Sequence, residues 1–166
     1  MASTLEDLLA IRSIEELKYR YVRCLDLKLW DEIATLFTDD ATASFGGGAV
    51  ELDGRDAILD FFRRTMESTA MLTSHKVHQP EITLAPDRTS ATGVWALDDV
   101  VVHGEYGVTI RGAAFYNDRY VLRDGRWLIA STGYKRVYEE MYPRASVEGL
   151  KVTAEYWATE GRSKLL

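Results

Sequence analysis

The sequence holds a single cysteine, Cys24, so no disulfide can form within the chain, and a reducing cytoplasm is the expected compartment. Basic residues are in deficit: 20 Lys and Arg stand against 26 Asp and Glu, a formal net charge of −6 with both signs interspersed. A nucleic-acid partner, which needs a basic stripe, is not expected. No apolar run approaches the length of a membrane span, so no membrane partner is expected either. The acidic start MASTLEDLLA lacks the basic n-region of a signal peptide. There are only three histidines, His75, His78 and His103. No HExxH and no cysteine pair accompanies them, and His75 and His78, three apart on a strand, point to opposite faces. No metal is therefore expected. GxSxG, phosphate-binding glycine loops and the dinucleotide fingerprint are all missing, so no cofactor is expected.

What is present is a chain of 166 residues, 46% hydrophobic, enough for one domain with a real core. Ser3 and Glu6 have the spacing of a capping box ahead of a long helix, whose apolar stripe is Ile14, Leu17, Tyr21 and Leu25. A second short helix is predicted over 27–37. A short strand, a turn on Gly46, Gly47 and Gly48 and another short strand follow, then a helical pattern through Ile58, Phe61, Phe62 and Met66. From about Leu72 the period becomes two. Strands are predicted at 73–85, 88–104, 109–123 and 126–138, with Asp124-Gly125 as a hairpin turn and Pro80 marking an edge or a bulge. Residues 143–166 form a C-terminal extension of mixed pattern beyond a domain core of about 4–142. Helices first and long antiparallel strands second make an α+β layout. A curved antiparallel sheet wrapped on a helix would form a cone with one open mouth and an apolar pocket.

Asp26 stands out within VRCLDLKLWDE, because a helix end carries partial negative charge and disfavours a carboxylate. Asp99 is equally out of place in GVWALDDVVVH, on the strand face shared by Trp95, Leu97 and Val101. An unpartnered buried carboxylate is costly. His75 is a possible partner for either, and a structural ion pair is the alternative reading. Tyr21 lies on the helix stripe, Tyr116 among the late aromatics, and Arg136 shares a face with Tyr134. Arg136 could meet Glu139, Glu140 or an anionic substrate. Cys24 reads as a small buried hydrophobe.

The stretches ELKYRYVRCLD, SHKVHQPEIT, ATGVWALDD and GAAFYNDRY…DGRW…TGYKRVYEE resemble the SnoaL-like branch of the NTF2-like superfamily. Over about residues 11–142 the likeness is to its bile-acid (hydroxysteroid) dehydratases, with scytalone dehydratases and hexachlorocyclohexane dehydrochlorinases more distant. The resemblance implies a cystatin-like cone and a cofactor-independent lyase, with an isomerase or cyclase, or a non-catalytic binding module, as alternatives on the same scaffold. Carried over by motif, it implies an Asp26–His75 dyad with Tyr21, Asp99 and Arg136 about it; Tyr21 is then expected to donate to a substrate carbonyl, Asp99 to stand beside the leaving hydroxyl, and Phe45, Trp95, Tyr116 and Arg136 to surround a bulky apolar substrate. Phe45 departs from the pattern, standing where those dehydratases carry a tyrosine. A homo-oligomer is expected, a trimer ahead of a dimer.

Overall fold

The structure, a computed structural model, describes residues 4–165. Helix α1 spans Leu5–Asp26, and its capping box lies one residue later than the spacing of Ser3 and Glu6 suggests. The Thr4 hydroxyl accepts the Asp7 N–H at 3.1 Å, and the Asp7 carboxylate accepts the Thr4 N–H at 2.8 Å. Arg88, reaching over from a distant turn, donates to the same carboxylate at 2.6 Å and favours this register. Ser3 lies outside the described residues.

Helix α2 is only Trp30–Ala34, shorter than predicted. Ile33, Leu36 and Phe37 have helical spacing and are all buried, but Phe37 already belongs to a strand that pairs with Ile129. Strands β1 (Phe37–Phe45) and β2 (Val50–Asp53) form the expected hairpin through the three glycines, all at positive φ. Helix α3 covers Arg55–Met66. Four long strands follow: β3 (Met71–Leu84), β4 (Ser90–His103), β5 (Val108–Arg123) and β6 (Arg126–Pro143). The last outruns its prediction by five residues. The extension beyond it holds one 3₁₀ turn, Arg144–Ser146, and otherwise turns and irregular backbone.

The sheet is six-stranded, in the order β2-β1-β6-β5-β4-β3, curved and not closed into a barrel. It is mixed, not wholly antiparallel, because β1 runs parallel to β6. That pairing needs Gly133: a Cβ there would lie 2.3 Å from the Ser44 carbonyl oxygen. β3 is an edge strand, and the register slips between His78 and Glu81, around Pro80, which has no N–H to give the ladder. Further slips in β5–β6 add to the bend.

The helices cover one face. Ile14, Leu17 and Tyr21 of α1 and Ile58 and Phe62 of α3 pack on Trp95 and Leu97 of β4, Ala114, Tyr116 and Tyr120 of β5, and Ile129 of β6. Side chains of this size each contribute roughly 1.5–3 kcal/mol by leaving water. No described helix is long and apolar enough to cross a membrane.

Candidate active site

Asp26 is the last residue of α1 and lies across β3. Thr73 and His75, two apart and so on one face of that strand, both turn toward it. His75 Nδ1 is 2.6 Å from Asp26 Oδ1, the His75 backbone N–H donates to Oδ2 at 2.9 Å, and the Thr73 hydroxyl donates to Oδ1 at 2.8 Å. Three donors on one carboxylate offset its unfavourable place at the negative end of a helix. Since the carboxylate accepts, Nδ1 carries the proton, and Nε2 holds the free lone pair. Among the described residues no protein group bonds Nε2.

His75 opens on a cavity of about 190 Å³ between α1, α3 and the sheet. Its walls are aromatic: Tyr21, Phe45, Phe61, Phe62, Tyr116 and Tyr134. Phe45 stacks near-parallel on Phe61, with centroids 5.8 Å apart, and the Tyr21 ring stands perpendicular to Tyr116 at 6.2 Å. The Tyr21 hydroxyl is buried, and only the Tyr116 hydroxyl lies beside it, donating to its oxygen so that its own proton has no acceptor among the described residues. Burial raises its pKa, as it does for Tyr116 and Tyr134, so all three act as neutral donors. A buried donor left open beside a cavity is an uncommon feature that a ligand oxygen would satisfy.

Three predicted residues lie elsewhere. Trp95 does not line the cavity. It is fully buried, and its Nε1–H donates to the Tyr120 hydroxyl at 2.9 Å. Asp99 and Arg136 hold each other in a two-pronged pair at 2.5 and 2.9 Å, and neither is on the cavity wall. Asp99 is paired across the ladder with His75, so the ion pair flanks the dyad. Arg136 also reaches Glu139 at 3.0 Å. Burial opposes its charge, but Asp99 outweighs that and raises its pKa. His78 bonds Asp98 on the outer face, His103 stacks on Tyr106, and Cys24 is buried. Among the described residues no three His, Cys, Asp or Glu side chains gather as a metal site would require.

Two buried residues escaped the sequence reading, Lys18 and Asp118, whose charged atoms lie 2.7 Å apart with both side chains fully enclosed. A signal for them existed. Lys18 sits on the apolar stripe between Leu17 and Tyr21, and Asp118 alternates with Tyr116 and Tyr120 on the buried face of β5. Opposite charges on two faces that must both be buried are expected to meet.

A larger depression of about 490 Å³ lies at the far end of the sheet, near Leu84, Pro86 and Arg119. It has no acid–base pair.

Solved structures share this architecture. Hexachlorocyclohexane dehydrochlorinase LinA type 3 from Novosphingobium barchaimii superposes with a TM-score of 0.77 at 18% identity, over 92% of this chain and 100% of that one. A candidate scytalone dehydratase from Novosphingobium aromaticivorans gives 0.75 at 22% identity, over 82% and 89%. A protein with a cystatin-like fold from Nostoc punctiforme gives 0.62 at 20% identity, over 82% and 95%. At these identities the likeness speaks for the fold alone. The sequence itself matches the model of the SnoaL-like domain over residues 6–133. With nearly all of helix α1, strand β3 and most of the sheet inside that span, the chain belongs to the SnoaL-like domain family.

Proposed function

We propose that the protein is a cofactor-independent dehydratase acting on an apolar hydroxy-ketone or hydroxy-enone. The observation that carries this reading is the Asp26–His75 contact of 2.6 Å at the rim of an aromatic cavity that Tyr21 also lines, its buried hydroxyl proton without an acceptor among the described residues. His75 Nε2 takes a proton from carbon made acidic by the carbonyl, and the C–H electron pair moves into the enolate. Asp26 stabilises the resulting imidazolium and keeps the ring in its working tautomer. Tyr21 donates to the carbonyl oxygen as negative charge grows there. As the enolate collapses, the C–O bond breaks and the hydroxyl leaves as water with the proton held by His75. Both Asp99 oxygens are occupied by Arg136, so Asp99 supports the site from its flank and does not carry that proton.

The cavity limits the substrate. It is a little larger than an engineered 150 Å³ void that holds benzene and below the usual ~300 Å³ of a drug-sized site. One or two rings enter, and the rest of a tetracyclic skeleton would stay at the mouth. With Arg136 committed to Asp99, no free cation among the described residues faces the cavity, which favours an uncharged reacting end.

An isomerase would use the same base and donor but return the proton to carbon, and a binding module would use neither. Mass spectrometry separates the three. The purified protein and a His75→Ala control are incubated with bicyclic hydroxy-ketones and with hydroxysteroids. Loss of one water in the wild type alone is the expected result. A product of unchanged mass would establish the isomerase, and tight binding with no product would point to the binding module.

A further inference from the structure

The Lys18–Asp118 pair is the most deeply buried charge in the described structure, and the chemistry above leaves it unused. Lys18 lies three residues before Tyr21, on the same helix stripe, and its side chain is completely enclosed. Asp118 fixes the ammonium at 2.7 Å and is itself held by the Tyr120 hydroxyl at 2.7 Å and the Thr132 hydroxyl at 2.7 Å. Trp95 closes the network by donating to Tyr120. The ammonium therefore cannot swing away. It rests 3.5 Å from the centroid of the Tyr116 ring and 4.6 Å from that of Tyr21, inside the range over which a cation is drawn to an aromatic face. Both rings line the cavity.

We propose that Lys18 is a positioning residue of the active site: its ammonium, clamped by Asp118, locks the Tyr21 ring in place and polarises its hydroxyl toward the substrate oxygen. The inference rests on Tyr21 being the carbonyl donor. A cation on the face of a phenol stabilises negative charge that spreads from oxygen into the ring, and this effect is strongest where water is excluded. Burial alone pushes the Tyr21 pKa up and would make a poor donor. Burial also lowers the Lys18 pKa, and Asp118, by its charge and its hydrogen bond, opposes that fall without reversing it. The pair acts on Tyr21 as a dipole with its positive end against the ring. Bulk packing would be served as well by apolar residues, which commonly replace buried ion pairs at no loss of stability.

The test needs no substrate. A fluorinated tyrosine, whose phenol ionises at a lower pH than that of tyrosine, is placed at position 21, and its ionisation is followed by ¹⁹F NMR. The measurement is made in the otherwise native protein, in Lys18→Met, and in Lys18→Met/Asp118→Asn. The double variant removes both charges and leaves an amide for Tyr120 and Thr132, so it keeps the comparison open if Lys18→Met alone does not fold. Of the other groups acting on this hydroxyl, Tyr116 lowers its pKa through a hydrogen bond while Asp118, Tyr134 and Asp26 raise it; all stay unchanged except Asp118, whose raising effect the double variant removes. The expected result is a rise of about one pH unit or more in the midpoint of Lys18→Met, a tenfold weaker acid, and a smaller rise above the native midpoint in the double variant. A purely structural role would alter thermal stability and leave the midpoint where it was, and that outcome overturns the proposal. A shifted midpoint in a protein that dehydrates nothing would retain Lys18 as the polarising group and reject the dehydratase reading.

Discussion

At the scale of residues the dyad rests on one carboxylate. In Asp26→Asn only one oxygen remains to accept, while the new amide nitrogen donates. Keeping the His75 backbone bond turns that nitrogen toward Nδ1, and the ring must then take the other tautomer, with Nε2 protonated and no lone pair facing the cavity. The fold should persist, since volume and most hydrogen bonds are retained, while turnover falls by roughly 10²–10⁴-fold, the usual size of general-base help. Near-native kcat with the same melting temperature would remove the dyad from the mechanism. Asp26 and His75 could be picked out because a carboxylate at a helix end and a rare histidine are both anomalies that ask for a partner. Trp95 could not be separated from the cavity wall in the same way. Alternation fixes its strand face, but whether a buried aromatic borders a cavity or only the core depends on what α1 lays over it, and period-two patterning carries no such information.

At the scale of elements the N-terminus of α1 depends on a single half-buried carboxylate. Asp7 caps the helix with Thr4 and accepts from Arg88 in the turn after β3, joining first helix to sheet edge. The Arg88 bond, then the Thr4 bonds, lower its pKa from the ordinary 3.8 to about 2. A carboxyl whose folded pKa is depressed adds stability above its unfolded pKa and loses it as the pH falls through the folded value. The native protein should therefore melt higher than Asp7→Asn at neutral pH, and the gap should narrow below about pH 4 and close near pH 2. A gap that is the same at both ends of that range, in melts followed by circular dichroism, would show that the carboxylate charge contributes nothing. The long strands and the glycine hairpins were legible because alternation and positive-φ turns are local. The parallel pairing of β1 with β6 was not: it joins residues about ninety apart, and its one local trace is a glycine, Gly133, where two backbones nearly touch.

At the scale of the whole molecule the helices satisfy only one face of the sheet. On the other face Phe115 of β5 is 46% exposed, and along β6 Val137, at the register slip, and Tyr138, which pairs with Ala113, are 64% and 52% exposed. Val147, Leu150 and Val152 of the extension add apolar surface of their own. Single exposed apolar side chains are ordinary, but a run of them along adjoining strands marks a surface that prefers company. We propose a homotrimer in which this face and the extension are covered by neighbouring copies. The net charge of −6 gives the copies no attraction through monopoles, so apolar burial has to supply the association. Light scattering at micromolar concentration should return three times the chain mass of 18.8 kDa. Val137→Glu places a charge in the middle of the face, where its desolvation opposes docking. That variant should sediment as a monomer with an unchanged far-ultraviolet spectrum, since Val137 points away from the core. A wild-type monomer would overturn the proposal outright. A trimer untouched by Val137→Glu would move the interface off the β5–β6 face and leave the extension to carry it.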